Sequence, residues 1–136
     1  MRVGVGLPTS TPRAGQSAVL DWARRADDLG FASLGVIDRF VYDSWEPLTA
    51  LAAAAAVTQR ARLVTMILIG PLRPTAVLAR QAATVDVIAG GRLILGLGIG
   101  ARHDDYRASG IDPAHRGRDL AEQLARLRTA WEAAGQ

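Results

Sequence analysis

The sequence predicts an α/β fold: four βα units with a parallel sheet covered by helices. Two observations carry that expectation. First, short apolar runs recur along the 136-residue chain: RVGVGL from position 2, SLGVI from 33, LVTMILI from 63 and LILGLGIG from 93. Near-continuous apolar character marks strands buried on both faces. Second, each run is followed by a segment with apolar residues at helical spacing. Strands of this kind alternating with helices give a parallel sheet with right-handed crossovers. No linker or low-complexity segment breaks the alternation, so residues 1–136 are expected to form a single domain. Two architectures satisfy this pattern, a small open α/β sandwich and part of a (β/α)8 barrel.

The elements follow in order. Residues 2–7 form the first strand, ended by the Pro8 to Pro12 segment. The first helix is predicted from Gln16 to Leu29, with Val19, Trp22, Ala23, Ala26 and Leu29 as its inward stripe and Gly30 as its stop. Trp22 is expected in the core. The second strand covers 33–37 and ends at Asp38-Arg39-Phe40. Pro47 opens a helix running to about Gln59, with Leu48, Leu51, Ala52 and Ala55 inward. The third strand spans 63–69 and is apolar on both faces. The third helix starts near Thr75, places Val77, Leu78, Gln81, Val85 and Ile88 on one side, and stops at Gly90-Gly91. The fourth strand is 93–100, followed by a loop with a short turn at 103–108. Leu120, Leu124, Leu127 and Trp131 set the stripe of the last helix, with Trp131 in the core.

Composition excludes several classes of function. With no cysteine, disulfides and thiolate metal sites are excluded. The net charge is +3 and every basic residue is an arginine, interleaved with acids rather than gathered on one face. Nucleic-acid binding is therefore not expected. No apolar run reaches the roughly 18 residues of a membrane helix. Met1 leads straight into a strand, so no secretory leader is expected and a cytoplasmic location fits.

The fourth strand carries Gly96, Gly98 and Gly100 in alternation with Leu97 and Ile99. Alternate residues share a face, so that face carries no side chains. Bare backbone admits a flat ligand ring; the competing explanation is a strand thinned to relieve crowding. The spacing is not a dinucleotide fingerprint, which needs glycine where Ala101 or His103 stands.

Residues 73–86 (RPTAVLARQAATVD) and 90–98 (GGRLILGLG) resemble the bacterial-luciferase-like monooxygenase family. The opening strand, Asp38-Arg39 and Asp105-Tyr106-Arg107 match as well, and the likeness runs from Met1 to about Trp131. The family holds FMN-dependent monooxygenases and coenzyme F420-dependent reductases and dehydrogenases. The resemblance implies a (β/α)8 TIM barrel, which needs roughly 250 residues. The four units would then be its N-terminal half. Active sites of such barrels lie at the C-terminal ends of the strands, and phosphate sites often follow strands seven and eight. Much of a flavin phosphate's usual anchorage would lie outside these four units.

Carried over by resemblance, the cofactor-binding candidates are Asp38, Arg39, Met66, Ile67, Gly98, Ile99 and Gly100. Relatives often place an acid followed by histidine where Asp38 and Arg39 stand. Arginine is permanently charged, so Arg39 cannot shuttle protons but can stabilise an anionic ring or a carboxylate. A plain Asp–Arg ion pair or a helix cap is the competing reading. Relatives often have a non-proline cis peptide at the Met66-Ile67 position. Some F420-using relatives have a glutamate just after strand four, where this chain has Ala101. No catalytic residue is assigned. His103, Asp104 and Asp105 read as a solvated loop rather than a metal site, and His115 as a surface residue.

Three functions follow. The first is a flavin- or deazaflavin-dependent oxidoreductase using FMN or F420 on a small-molecule substrate, or the half of one carrying part of the site. The second is a non-catalytic half-barrel with weak or no cofactor binding. It would cover its open edges by forming a homodimer or joining a complementary half-barrel. The third is an independent nucleotide-binding domain, although no Walker motif is present.

Overall fold

The computed structural model describes residues 1–12 and 14–133. Arg13 and residues 134–136, which the single-domain reading includes, lie outside the described residues. The order is β1 (Gly4–Gly6), α1 (Gln16–Asp28), β2 (Ser33–Val36), α2 (Pro47–Ala55), β3 (Arg62–Thr65), β4 (Leu68–Ile69), α3 (Thr75–Ala89), β5 (Leu93–Ile94), β6 (Leu97–Gly98), α4 (His103–Ser109) and α5 (Arg116–Ala133). Short 3-10 turns occupy Gly70–Leu72 and Pro113–His115.

All strand pairings are parallel. β1, β2, β3 and β5 lie side by side in that order, and β4 pairs with β6. Neighbours in sequence are neighbours in space, which is the winding of a (β/α)8 barrel and not of a doubly wound sheet. The expected α/β class with four βα units is the observed one.

The third and fourth expected strands are each broken in two. The Met66–Ile67 peptide is cis, the geometry the resemblance implied there, and it separates β3 from β4. Where the backbone ladder is interrupted, the Thr65 hydroxyl bridges it. It donates to Gly96 O at 2.7 Å and accepts from Gly96 N at 2.8 Å. The N–H and C=O of Gly96 thus find partners without a continuous strand.

The sheet has one covered face. Leu34, Val36 and Leu63 point to the helices and pack with Leu48, Leu51 and Leu78 in the main core. Leu93, Leu95 and Leu97 pack against the same cluster. The alanines of α2 are used as expected for close packing: Ala50, Ala54 and Ala55 are all buried. α2 ends at Ala55, earlier than expected. Its N-terminus is capped by Glu46, whose carboxylate accepts from Thr49 N at 2.7 Å.

Three stripes need correction. In α1 the buried residues are Val19, Ala23, Ala26 and Asp27, while Trp22 and Leu29 are 48% and 68% exposed. The helix is rotated so that small residues meet the sheet and the large ones flank β1. In α3, Leu78, Ala82, Val85 and Ala89 are buried, and Val77 and Ile88 face outward. Trp131 of α5 is only half-buried. Gly90 and Gly91 end α3 as expected, with φ of 62° and 79°, a conformation that side chains other than glycine rarely take.

Among the described residues, no helix is long and apolar enough to cross a membrane, and no group of acidic or histidine side chains could hold a metal ion.

Candidate functional site

The C-terminal ends of the strands gather the predicted residues. After β2, the chain presents Ile37, Asp38 and Arg39. Asp38 is 5% exposed, and its carboxylate accepts from Ile69 N at 2.8 Å and from both terminal nitrogens of Arg73, a bidentate pair. Arg73 also reaches Glu46 at 3.3 Å. The Asp38–Arg73–Glu46 chain therefore ties the end of β2 to β4 and to the entry of α2. An Asp–Arg ion pair exists here, but its cation is Arg73, not the neighbouring Arg39.

Arg39 is held by a different set. Its Nε donates to Asp105 Oδ2 at 2.8 Å and its Nη2 to Asp104 Oδ2 at 3.4 Å, while its guanidinium lies 3.8 Å above the Tyr42 ring. The other Asp105 oxygen accepts from Phe40 N at 2.8 Å. Burial opposes the charge on Arg39, but its hydrogen bonds to Asp105 outweigh that and raise its pKa above the ordinary value. It stays cationic throughout the working range.

His103 to Asp105 do not form a solvated loop. They open helix α4, and Asp105 is 1% exposed. Acids in the first turn of a helix are favoured by its dipole. Arg102 holds the Asp104 carboxyl down to about 2 by a hydrogen bond. The next residue, Tyr106, is buried against Ile69 and Leu72 and donates its hydroxyl proton to Ile99 O. Asp105 and Tyr42 are among the site residues absent from the sequence candidates. The Asp105-Tyr106-Arg107 match was the signal available for the first.

Asp38, Arg39, Met66, Ile67 and Gly100 line one open cleft of about 290 Å³. Ile37, Tyr42 and Arg102 complete much of its wall. Gly98 and Ile99 lie beside the cleft and not in its lining; Ile99 is 41% exposed. A second concavity of about 500 Å³ covers the uncapped face of β1 and β2 over Gly4, Gly6 and Gly35. The two share Ile37 and Met66, so one continuous concave surface runs from β1 to Arg102.

The glycine face of the fourth strand is filled, not bare. A Cβ on Gly96 would overlap the Thr65 carbonyl oxygen, one on Gly98 would stand 2.7 Å from Ile67 Cδ1, and one on Gly100 2.7 Å from Ile69 Cγ2. The adjacent strand crowds all three positions, and Gly100 also has a φ of 70° that side chains other than glycine rarely take. Open backbone is found instead at Gly6, where a Cβ meets nothing within 4 Å. Gly96→Ala is therefore expected to cost about 1–3 kcal/mol, because backbone oxygen cannot move aside. Gly6→Ala should change stability by less than about 0.5 kcal/mol. Urea denaturation of the two variants checks the contrast.

The residues present suit a flat aromatic group. Ile37, Met66 and Ile67 are 41%, 62% and 42% exposed on the concave side, an apolar floor at the strand ends. Arg39 stands at one margin, its Nε and Nη2 turned to Asp105 and Asp104.

The comparisons agree with this fold. An F420-dependent glucose-6-phosphate dehydrogenase of Kribbella flavida is 33% identical over 140 aligned residues, covering 96% of this chain and 40% of its own length. A monooxygenase from Streptomyces bottropensis superposes with a TM-score of 0.81 at 28% identity, over 94% of this chain and 42% of the other. An F420-dependent secondary alcohol dehydrogenase superposes with a TM-score of 0.79 at 25% identity, over 97% and 43%. The chain thus spans about two-fifths of the length of these relatives. A model of the luciferase-like monooxygenase family matches residues 1–135, and the chain belongs to that family.

Proposed function

We propose that this chain carries part of the site of a luciferase-like oxidoreductase that uses FMN or coenzyme F420 on a small-molecule substrate. The chain is the N-terminal half of that barrel. The observation that carries this reading is the convergence of Asp38, Arg39, Met66, Ile67 and Gly100 on one cleft with an exposed apolar floor. When bound, the cofactor supplies hydride transfer or oxygen activation. The residues bind and orient. Ile37, Met66 and Ile67 would seat the ring and exclude water from its face, with Gly98 backing Ile67. Arg39 would donate N–H groups to an anionic part of the cofactor or substrate.

Proton transfer is not assigned to Asp38 or Asp105. Both carboxylates are buried and already hold arginines. Ala101 offers no acid at the position where some F420-using relatives have one. The cysteine-free composition fits the reducing cytoplasm, where this reading places the protein.

The test is fluorescence titration of the chain with FMN and with F420. Saturable binding of one of them is expected, and Arg39→Ala should weaken it by roughly tenfold or more, the worth of one charge-assisted hydrogen bond. Failure of both to bind at high micromolar concentration sinks the reading. The uncovered apolar concave face also favours a second reading, a non-catalytic half-barrel that self-associates with weak or no cofactor binding. A stable, colourless dimer indifferent to both compounds supports that one.

A further inference from the structure

The 3-10 turn Gly70–Leu72 joins the end of β4 to Arg73, and helix α5 packs against it. Little ladder holds this stretch, because β4 is two residues long. Its fixed points are side chains. Before the turn, Ile69 N donates to the Asp38 carboxylate at 2.8 Å. After the turn, the Arg73 guanidinium forks onto the same carboxylate, and its Nη1 also reaches Ile69 O at 3.4 Å. Both ends of the turn therefore meet on one buried acid in the wall of the cleft, and Ile69 is part of that wall.

A third fixed point comes from outside the cleft. Gln123 of α5 is 4% exposed, and its Nε2 donates to Gly70 O at 3.1 Å and to Arg73 O at 3.0 Å. Both amide hydrogens are thus spent on carbonyls at either end of the turn. Among the described residues, Gln123 Oε1 has no hydrogen-bond partner. A buried acceptor left without a partner is unfavourable and calls for a reason. That oxygen lies against Gly70. A Cβ on Gly70 would overlap it and would stand 2.8 Å from Leu120 Cδ1. Turning the amide over would set its oxygen against two carbonyl oxygens, so the N–H groups must face the turn. A methionine would fill the same space with no orphaned acceptor. What glutamine adds is the pair of N–H groups that clamps the turn.

We propose that Gln123 is a positioning residue for this cleft. From α5 it holds the turn at the height at which Ile69 N and Arg73 both reach Asp38. Ile67 and Ile69 stand on the same short stretch, so the clamp also sets the wall against which a ring would lie. Gln123 itself touches neither Asp38 nor the cleft; it acts through the turn. The consequence for binding rests on the cofactor reading above, whereas the geometry is read without any ligand.

The test is nuclear magnetic resonance of the labelled chain, joined to titration with FMN and with F420. In folded Gln123→Met, the Ile69 amide proton should move upfield as its hydrogen bond weakens, and the Asp38 carboxyl carbon should shift with it. Gly70→Ala reaches the same contact from the other side by displacing the Gln123 amide, and should move the same two signals. The result therefore does not depend on one variant folding. Leu127→Ala, one turn further along α5 and in the main core, lowers stability without touching the clamp, and should leave both signals in place. Gln123→Met should also weaken the compound that the parent binds by about tenfold. Unmoved Ile69 and Asp38 signals in the folded variants, an equal shift in Leu127→Ala, or an unchanged affinity overturns the proposal. A parent chain that binds neither compound sinks the cofactor reading instead, and the two signals then decide the positioning role alone.

Discussion

Arg92→Ala is expected to remove about 3 kcal/mol or more of stability, a large share of the roughly 5–15 kcal/mol that holds a domain of this size. The reason is where its donors go. Nε donates to Ala89 O at 2.6 Å, Nη1 to Thr58 Oγ1 at 3.0 Å and Ala61 O at 2.8 Å, and Nη2 to Ala55 O at 3.3 Å and Thr58 O at 2.9 Å. All five guanidinium hydrogens are used. One side chain thus closes the C-terminal ends of α2 and α3 and the approach to β3. Cations are favoured at helix C-termini, where carbonyls stand unpaired. Alanine would leave those carbonyls without a partner. Arg92→Lys is expected to recover less than half of the loss, because an ammonium has three donors and no planar fork. Urea denaturation of the three proteins checks both statements. A lysine variant as stable as the parent would show that charge alone, not the fork, matters.

Asp27→Asn is expected to cost nearly as much as Asp27→Ala, about 2–4 kcal/mol by the worth of hydrogen bonds to a buried charge. The Asp27 carboxylate is 4% exposed and accepts from Gln59 N at 2.8 Å, Arg60 N at 3.0 Å and Ala61 N at 2.6 Å. It fixes the turn between α2 and β3, and so the height at which β3 enters the sheet. Asparagine keeps one acceptor oxygen but turns an NH2 group toward backbone donors. The effect depends on pH. Burial pushes the Asp27 carboxyl up, but the three backbone N–H groups and the charge of Arg60 outweigh it, so its pKa lies below the ordinary 3.8. A lowered folded pKa contributes stability fully above the unfolded value, and loses it as pH falls through the folded one. The stability gap between the parent and Asp27→Asn should therefore be constant near neutrality and shrink below about pH 4. Denaturation curves at pH 6 and pH 3 measure it. A gap that does not shrink would mean that the carboxylate is not what holds the turn.

Neither Arg92 nor Asp27 stood out as a structural anchor in the sequence. Arg92 was one letter in a family-like motif, and Asp27 sat on the solvent side of a helix stripe that the structure rotates. Both act across more than thirty positions of chain, on backbone groups that look alike in every sequence. The site shows the same division. Asp38, Arg39, Met66, Ile67 and Gly100 were legible through resemblance and through their place at strand ends, and the fold brings them together. Their partners were not legible. Arg73 lies 35 positions from Asp38, and Asp105 lies 66 from Arg39.

What the sequence determined by itself is the alternation of strand and helix, the order of winding and the stops at glycine. Those depend on apolar periodicity and local backbone conformation, which neighbouring residues settle among themselves. Tertiary structure alone decided which charges pair, that Trp22 lies outside the core, and that Gly96, Gly98 and Gly100 stand close against the adjacent strand. Such outcomes depend on the register and rotation of packed elements. A shift of one residue or a fraction of a turn exchanges the partners while leaving the one-dimensional pattern unchanged.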